Sequence, residues 1–179
     1  MSSPQGRTPP SPSPLLNSVA RTVLIFIALL AAIALVLEWE FFDRVLVGPL
    51  TRVTTWLSGG ILRLSGYAVE VDGTYLVSGG FSMNVLNGCN GVYAISIFLA
   101  AIAAYPSRWS EKSRGAALGG VLLFLVNVGR VVSLFLIGVH IPEWLEWFHI
   151  YFWQTGIVLI AILIWFFWED RMVRHEEAG

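Results

Sequence analysis

Long apolar runs broken by short polar stretches set the rhythm of the chain. Four runs approach the ~20 residues that a helix needs to cross a ~30 Å hydrocarbon layer. They predict helices over about 19–37, 86–105, 115–139 and 148–168. The second reaches that length only if it takes in the turn around the cysteine, "NVLNGCNGVY" (84–93). The first run, "VLIFIALLAAIALVL", is longer than the apolar part of a secretion signal. It is followed by "EWEFFD" rather than by small cleavage-site residues, so it reads as a retained anchor. Ahead of it, residues 1–16 hold five of the eight prolines and cannot bury a core. A disordered cytoplasmic tail is expected there.

The 38–85 segment is patterned differently. Apolar residues at 46, 50, 53, 57, 61 and 64 recur at helical spacing, with Arg52, Thr55 and Arg63 on the opposite face. Pro49 fits a first turn. The stripe suits a helix lying along the outer membrane surface, and equally one packed on the mouth of a bundle. In "YAVEVDGTYLV", Asp72-Gly73 separates two β-prone runs, as a tight hairpin turn does. Phe81, Met83 and Val85 then alternate with polar neighbours. A small β element leading to Cys89 is expected.

Composition and charge fix the setting. Of 179 residues, 56% are hydrophobic and only 13% charged, too few to cover a soluble domain of this size. Basic residues cluster at Arg7 and Arg21, at Arg108, Lys112 and Arg114, and at Arg171 and Arg174. The 140–147 connection has none. With four spans, all three clusters fall on one side, which puts both termini in the cytoplasm and 38–85 outside. The predicted fold is mainly α and integral to the membrane. It is a single domain over 17–175, a four-transmembrane-helix bundle with an outer amphipathic helix and a small extracytoplasmic β element. A net charge of −1 and the lack of a basic stripe exclude a nucleic-acid partner, leaving lipid as the surrounding medium.

Within that bundle three reactive side chains fall at one depth. Arg130 lies roughly 22 Å above Gly115, Cys89 ~24 Å above Tyr105, and His149 ~28 Å above Trp168, at ~1.5 Å per helical residue. Each also has a plain reading. A lone cysteine is often an inert buried filler, Arg130 could snorkel to headgroups, and His149 could join an interfacial aromatic belt. Asn127, one turn before Arg130, favours a polar surface turned inward. A thiol, a base and a cation together suit acyl transfer. In that chemistry Cys89 attacks, His149 shuttles the proton, and Arg130 holds the oxyanion. Asn87, Asn90 and Asn127 are candidate substrate-binding donors beside them. A zinc site from Cys89, His140, Glu146 and His149 lacks closely paired ligands and would face Arg130. No cofactor motif occurs, and the glycines of "GAALGG" read as helix-packing positions.

From Tyr67 to the end of the fourth run, the chain resembles the exosortase/archaeosortase family, in particular the short exosortase H type. The blocks that carry the resemblance are "GTYLVSGGFSMNVLNGCNG", "NVGRVVSLFLIG" and "FHIYFWQTG". It implies a catalytic Cys89, Arg130 and His149 facing outward, with His140 outside the matching block. The family's cysteine block usually reads Cys-Ser-Gly with an arginine nearby, whereas this chain has Cys89-Asn90-Gly91 followed by Val92-Tyr93. The implied activity is that of a cysteine protease or transpeptidase in the bacterial inner membrane. Its expected substrates are exported proteins with a C-terminal sorting signal made of a motif, a transmembrane helix and a basic tail. They would be cleaved through a thioester and passed to an acceptor. A non-enzymatic assembly or export partner, docking through the 46–64 helix, is the alternative.

Overall fold

The computed structural model describes residues 14–86 and 88–174. The tail expected to be disordered falls mostly outside them. The chain is mainly helical, beginning with α1 (Pro14–Leu37), a short turn α2 (Glu40–Phe42) and a wide π-type turn over Asp43–Val47. Then come α3 (Gly48–Leu64), strands β1 (Glu70–Asp72), β2 (Tyr75–Ser78) and β3 (Phe81–Asn84), and helix α4 (Val92–Ala104). The long α5 (Trp109–His140) follows, then the short α6 (Leu145–Trp147), a second π-type turn over Phe148–Trp153, and α7 (Gln154–Trp168).

Three helical stretches among the described residues are long and apolar enough to cross a membrane: Asn17–Leu37, Trp109–His140 and Pro142–Met172. The expected second span is shorter than its apolar run suggested. Helix α4 has 13 residues, below the ~20 of a full crossing. The loss is at its N-terminal end, where the Asn90 side chain accepts from the Val92 amide at 3.0 Å. A short polar side chain that bonds nearby backbone competes with helix and favours a cap. Gly91 then adopts φ +78°, a left-handed conformation that glycine takes without steric cost. The 84–91 turn therefore stays non-helical, and the chain winds only from Val92.

Helix α3 packs through the face opposite its apolar stripe. Its buried face carries Thr51, Thr54, Thr55, Ser58, Gly59 and Leu62, and it packs on α5. The apolar stripe points outward, with Val53, Ile61 and Leu64 exposed. Burying hydroxyls costs little when each has a partner. Thr51 donates to the Val47 carbonyl at 2.7 Å, Thr54 to Leu50 at 2.9 Å and Thr55 to Thr51 at 2.8 Å. The stripe is thus not what joins α3 to the bundle. Small polar residues do that, as at helix contacts in lipid.

The strands form an antiparallel sheet in the order β1-β2-β3. Two two-residue loops connect them. Gly73 takes φ +59° in the first, and the second is Gly79-Gly80, both left-handed, as the right-handed twist of a hairpin prefers. The sheet rests on α3 and on the C-terminal half of α5. Leu62, Val69, Leu76, Val85, Val131 and Phe135 form that core, and Phe81 stacks over Gly138. A second core holds Phe98, Ile102, Leu123 and Trp168 at the other end of the bundle. There Gly115 admits Trp168 and Gly119 admits Phe98, which is the packing use expected of two of the "GAALGG" glycines. Trp168 also donates its indole N–H to the Glu111 carbonyl at 3.0 Å.

Candidate active site

The non-helical turn before α4 carries Cys89 into the middle of the bundle. Its amide donates to the Leu86 carbonyl at 2.8 Å, and its own carbonyl accepts from Asn127 Nδ2 of α5 at 3.0 Å. Asn90 anchors the other side of the turn by donating to Thr51 Oγ1 of α3 at 2.9 Å. Two helices thereby hold the turn that carries the thiol, although Cys89 does not belong to a regular helix. Gly91 is needed for closeness as well as for its φ, because a Cβ there would lie 2.8 Å from Asn127 Cγ.

Cys89 Sγ lies 2.9 Å from His149 Nε2. This is a hydrogen bond whose direction depends on which partner holds the proton. His149 reaches the thiol from the π-type turn ahead of α7, whose wider winding re-aims side chains relative to an α-helix. His140, the other candidate, is bound elsewhere: its Nε2 lies 2.8 Å from the Tyr67 hydroxyl.

Arg130 completes the group. It is 2% exposed, and its Nε and Nη2 have no hydrogen-bond partner among the described residues. Nor does a carboxylate pair with it among the described residues. An uncompensated guanidinium in a protein interior is costly, so its retention calls for a chemical reason. Arg130 lines a cleft of about 370 Å³ together with Cys89 and His149, a space that a ligand can enter. Burial pushes the Cys89 thiol above its usual pKa, while the positive charge of Arg130 and the Leu86 backbone bond pull it back. The resting thiol is therefore protonated near neutral pH.

The asparagines divide in role. Asn90 is fully buried and both ends of its amide are used within the fold, so it builds the turn rather than facing a substrate. Asn127 is also buried and holds the Cys89 carbonyl, with its Oδ1 left without a partner. Asn87 lies outside the described residues. Thr51 is the residue that sequence reading missed. Its signal was present in the Thr51, Thr54, Thr55, Ser58 spacing, a polar stripe at helical period on one face of α3. Among the described residues no group of three or more metal-ligating side chains gathers anywhere.

Comparison with known proteins identifies the family. The model of the transmembrane exosortases matches residues 15–168, most of the chain. The chain belongs to the transmembrane exosortase family. Membership carries a membrane transpeptidase or protease role, directed at exported proteins with sorting signals. No curated protein and no solved structure matches the chain. For this exosortase the site is therefore read from its own geometry.

Proposed function

We propose that this exosortase is a cysteine transpeptidase that cuts the C-terminal sorting signal of exported proteins at the outer face of the bacterial inner membrane. The observation that supports this most is the 2.9 Å contact between Cys89 and His149 beside a buried, unpartnered Arg130. In this reading both chain ends are cytoplasmic, α4 completes the bundle as a short fourth segment, and the sheet and the cysteine turn face outward.

The chemistry follows from the protonation states. Sγ attacks the scissile carbonyl carbon while its proton passes to His149 Nε2. The oxyanion that forms takes hydrogen bonds from the guanidinium of Arg130, which are strong in a site with little water. The tetrahedral centre collapses, the C–N bond breaks, and His149 returns the proton to the leaving amine. A thioester on Cys89 remains. An acceptor amine then attacks it, His149 takes the amine's proton, and the thiolate leaves and is reprotonated. Asn127 contributes by fixing the carbonyl of the nucleophile's own residue.

The test is co-expression of the protein with an exported protein carrying a C-terminal motif, transmembrane helix and basic tail, in wild-type and Cys89→Ala forms. The mass of the processed C-terminus separates transfer from hydrolysis. Accumulation of uncut substrate with an inserted Cys89→Ala protein is expected, and Cys89→Ser should also be defective. Normal processing by Cys89→Ala would sink the reading.

A further inference from the structure

Cys89 and His149 stand on a partition between two clefts. The cleft shared with Arg130 runs along α4 and α7, past Ala94, Ile97 and Val158. Those three residues also line a neighbouring groove whose walls are entirely aliphatic and aromatic, so the two spaces adjoin. The other cleft, about 390 Å³, opens toward the sheet, between Met83–Leu86 on one side and Leu134, Leu145 and Glu146 on the other. Leu86, Cys89 and His149 line both clefts.

The wall of the sheet-side cleft is a strand edge. β3 pairs with β2 and with no other strand among the described residues. The Val85 amide donates to the Thr74 carbonyl at 2.9 Å, which makes 74/85 a hydrogen-bonded pair. The register pairs Tyr75 with Asn84, Leu76 with Met83 and Val77 with Ser82. Hydrogen-bonded and non-bonded pairs alternate along an antiparallel ladder. The N–H and C=O of Met83 therefore face β2, and those of Ser82 and Asn84 face away from it. The free edge beside the cleft is thus a set of unpaired backbone donors and acceptors, the form of surface that captures an extended peptide.

We infer that the free edge of β3 binds the substrate segment on the acyl side of the scissile bond, as an added strand running parallel to β3. The inference rests on the proposed function and deepens it. Direction follows from connectivity: β3 leads toward Cys89 at its C-terminal end, and the acyl segment must also reach Cys89 at its C-terminal end. Side follows from medium. The exported body of the substrate arrives from the sheet side, and the apolar helix beyond the scissile bond continues down the aliphatic groove. Backbone pairing supplies affinity, while side chains at every second substrate position meet the apolar wall at Val131, Leu134 and Leu145.

Asn84→Pro and Asn84→Ala distinguish backbone from side chain. Proline removes the outward N–H at a position where an edge strand tolerates it. Alanine removes only the amide that accepts from Thr74. Processing of the co-expressed sorting-signal protein should slow about ten-fold or more in Asn84→Pro, the loss set by one backbone hydrogen bond, and less than about three-fold in Asn84→Ala. Alkylation of Cys89 by N-ethylmaleimide should match wild type in both, reporting an intact Cys89 turn. Wild-type processing by Asn84→Pro, with Cys89→Ala inactive, overturns the strand inference and leaves the enzyme reading standing. If Cys89→Ala still processes, both fall together. Should Asn84→Pro disturb alkylation, a photocrosslinking residue at Ser82 in the Cys89→Ala protein decides. An adduct with the segment just upstream of the cleavage site supports the inference, and no adduct or one elsewhere overturns it.

Discussion

Replacing Gly91 by alanine tests how the cysteine turn is held. Two separable costs are expected. At φ +78° a Cβ brings the left-handed penalty, about 1–2 kcal/mol. The same Cβ would sit 2.8 Å from Asn127 Cγ and 3.0 Å from its Cβ, so the side chain that holds the Cys89 carbonyl must move. Overpacking of that kind costs about 1–3 kcal/mol. The combined loss is a large part of a total stability of ~5–15 kcal/mol. Thermal unfolding of the detergent-solubilised protein, followed by far-ultraviolet circular dichroism, measures it. Gly88→Ala is the control. Nothing lies within 4 Å of a Cβ at Gly88, and its φ is not positive, so a change below ~0.5 kcal/mol is expected. The double variant Gly91→Ala/Asn127→Ala removes the contact with Cγ but keeps the tight one with Cβ and the backbone penalty, so the cycle should show coupling of about 0.5–2 kcal/mol. It should not regain activity, because the Cys89 carbonyl has lost its donor. A Gly91→Ala protein as stable as wild type, or a cycle without coupling, would refute the account.

The remaining predictions concern charge and anchoring. Arg130→Gln should slow processing about 10²–10³-fold, as loss of an oxyanion donor does, while thermal stability holds or rises because an uncompensated buried charge is gone. The rate of Cys89 alkylation should still climb at a pH where an ordinary surface thiol has levelled off, because burial raises its pKa. Arg130→Gln removes the charge that lowers that pKa, so the profile should move to higher pH, and Arg130→Lys should largely restore it. A profile unmoved by Arg130→Gln would mean that the guanidinium does not act on the thiol. Thr51→Val leaves the Asn90 amide buried without an acceptor and should cost about 1–3 kcal/mol in the same unfolding assay.

What could be read from the chain depended on the scale of the signal. The apolar runs behind α1, α5 and α7 are long, and length alone carries the inference of spanning helices. Cys89, Arg130 and His149 were legible as a group because each is an unusual residue for its surroundings, and three unusual residues at one depth are hard to attribute to chance. The start of α4 was not legible from hydrophobicity. Leu86 and Val85 are as apolar as the helix itself, and the boundary is set by one side-chain bond at Asn90 and one φ at Gly91. The role of Asn90 escaped for a related reason. An asparagine beside a nucleophile looks like a donor for substrate until its amide is seen spent on Thr51 and Val92. For helix α3 the apolar stripe was equally compatible with lying on the surface and with packing on the bundle. The side that packs is set by the hydroxyl stripe on its other face, which hydrophobicity does not flag. The Gly79-Gly80 turn was visible as a dipeptide, yet the sheet it closes depends on a register that no local pattern states.

The inverted packing of α3 has a consequence for engineering. The residues that α3 buries against the rest of the fold (Thr51, Thr54, Thr55, Ser58, Gly59 and Leu62) and those that face outward (Val53, Ile61 and Leu64) are disjoint sets. The outer set can therefore be rewritten while the buried face of α3 stays as it is, most freely at Leu64, which is 91% exposed. Polar replacements there would loosen the helix's tie to lipid while leaving the Thr51 anchor of the cysteine turn in place. Whether such a redesigned chain leaves detergent more readily is a question of solvent, decoupled from that of catalysis.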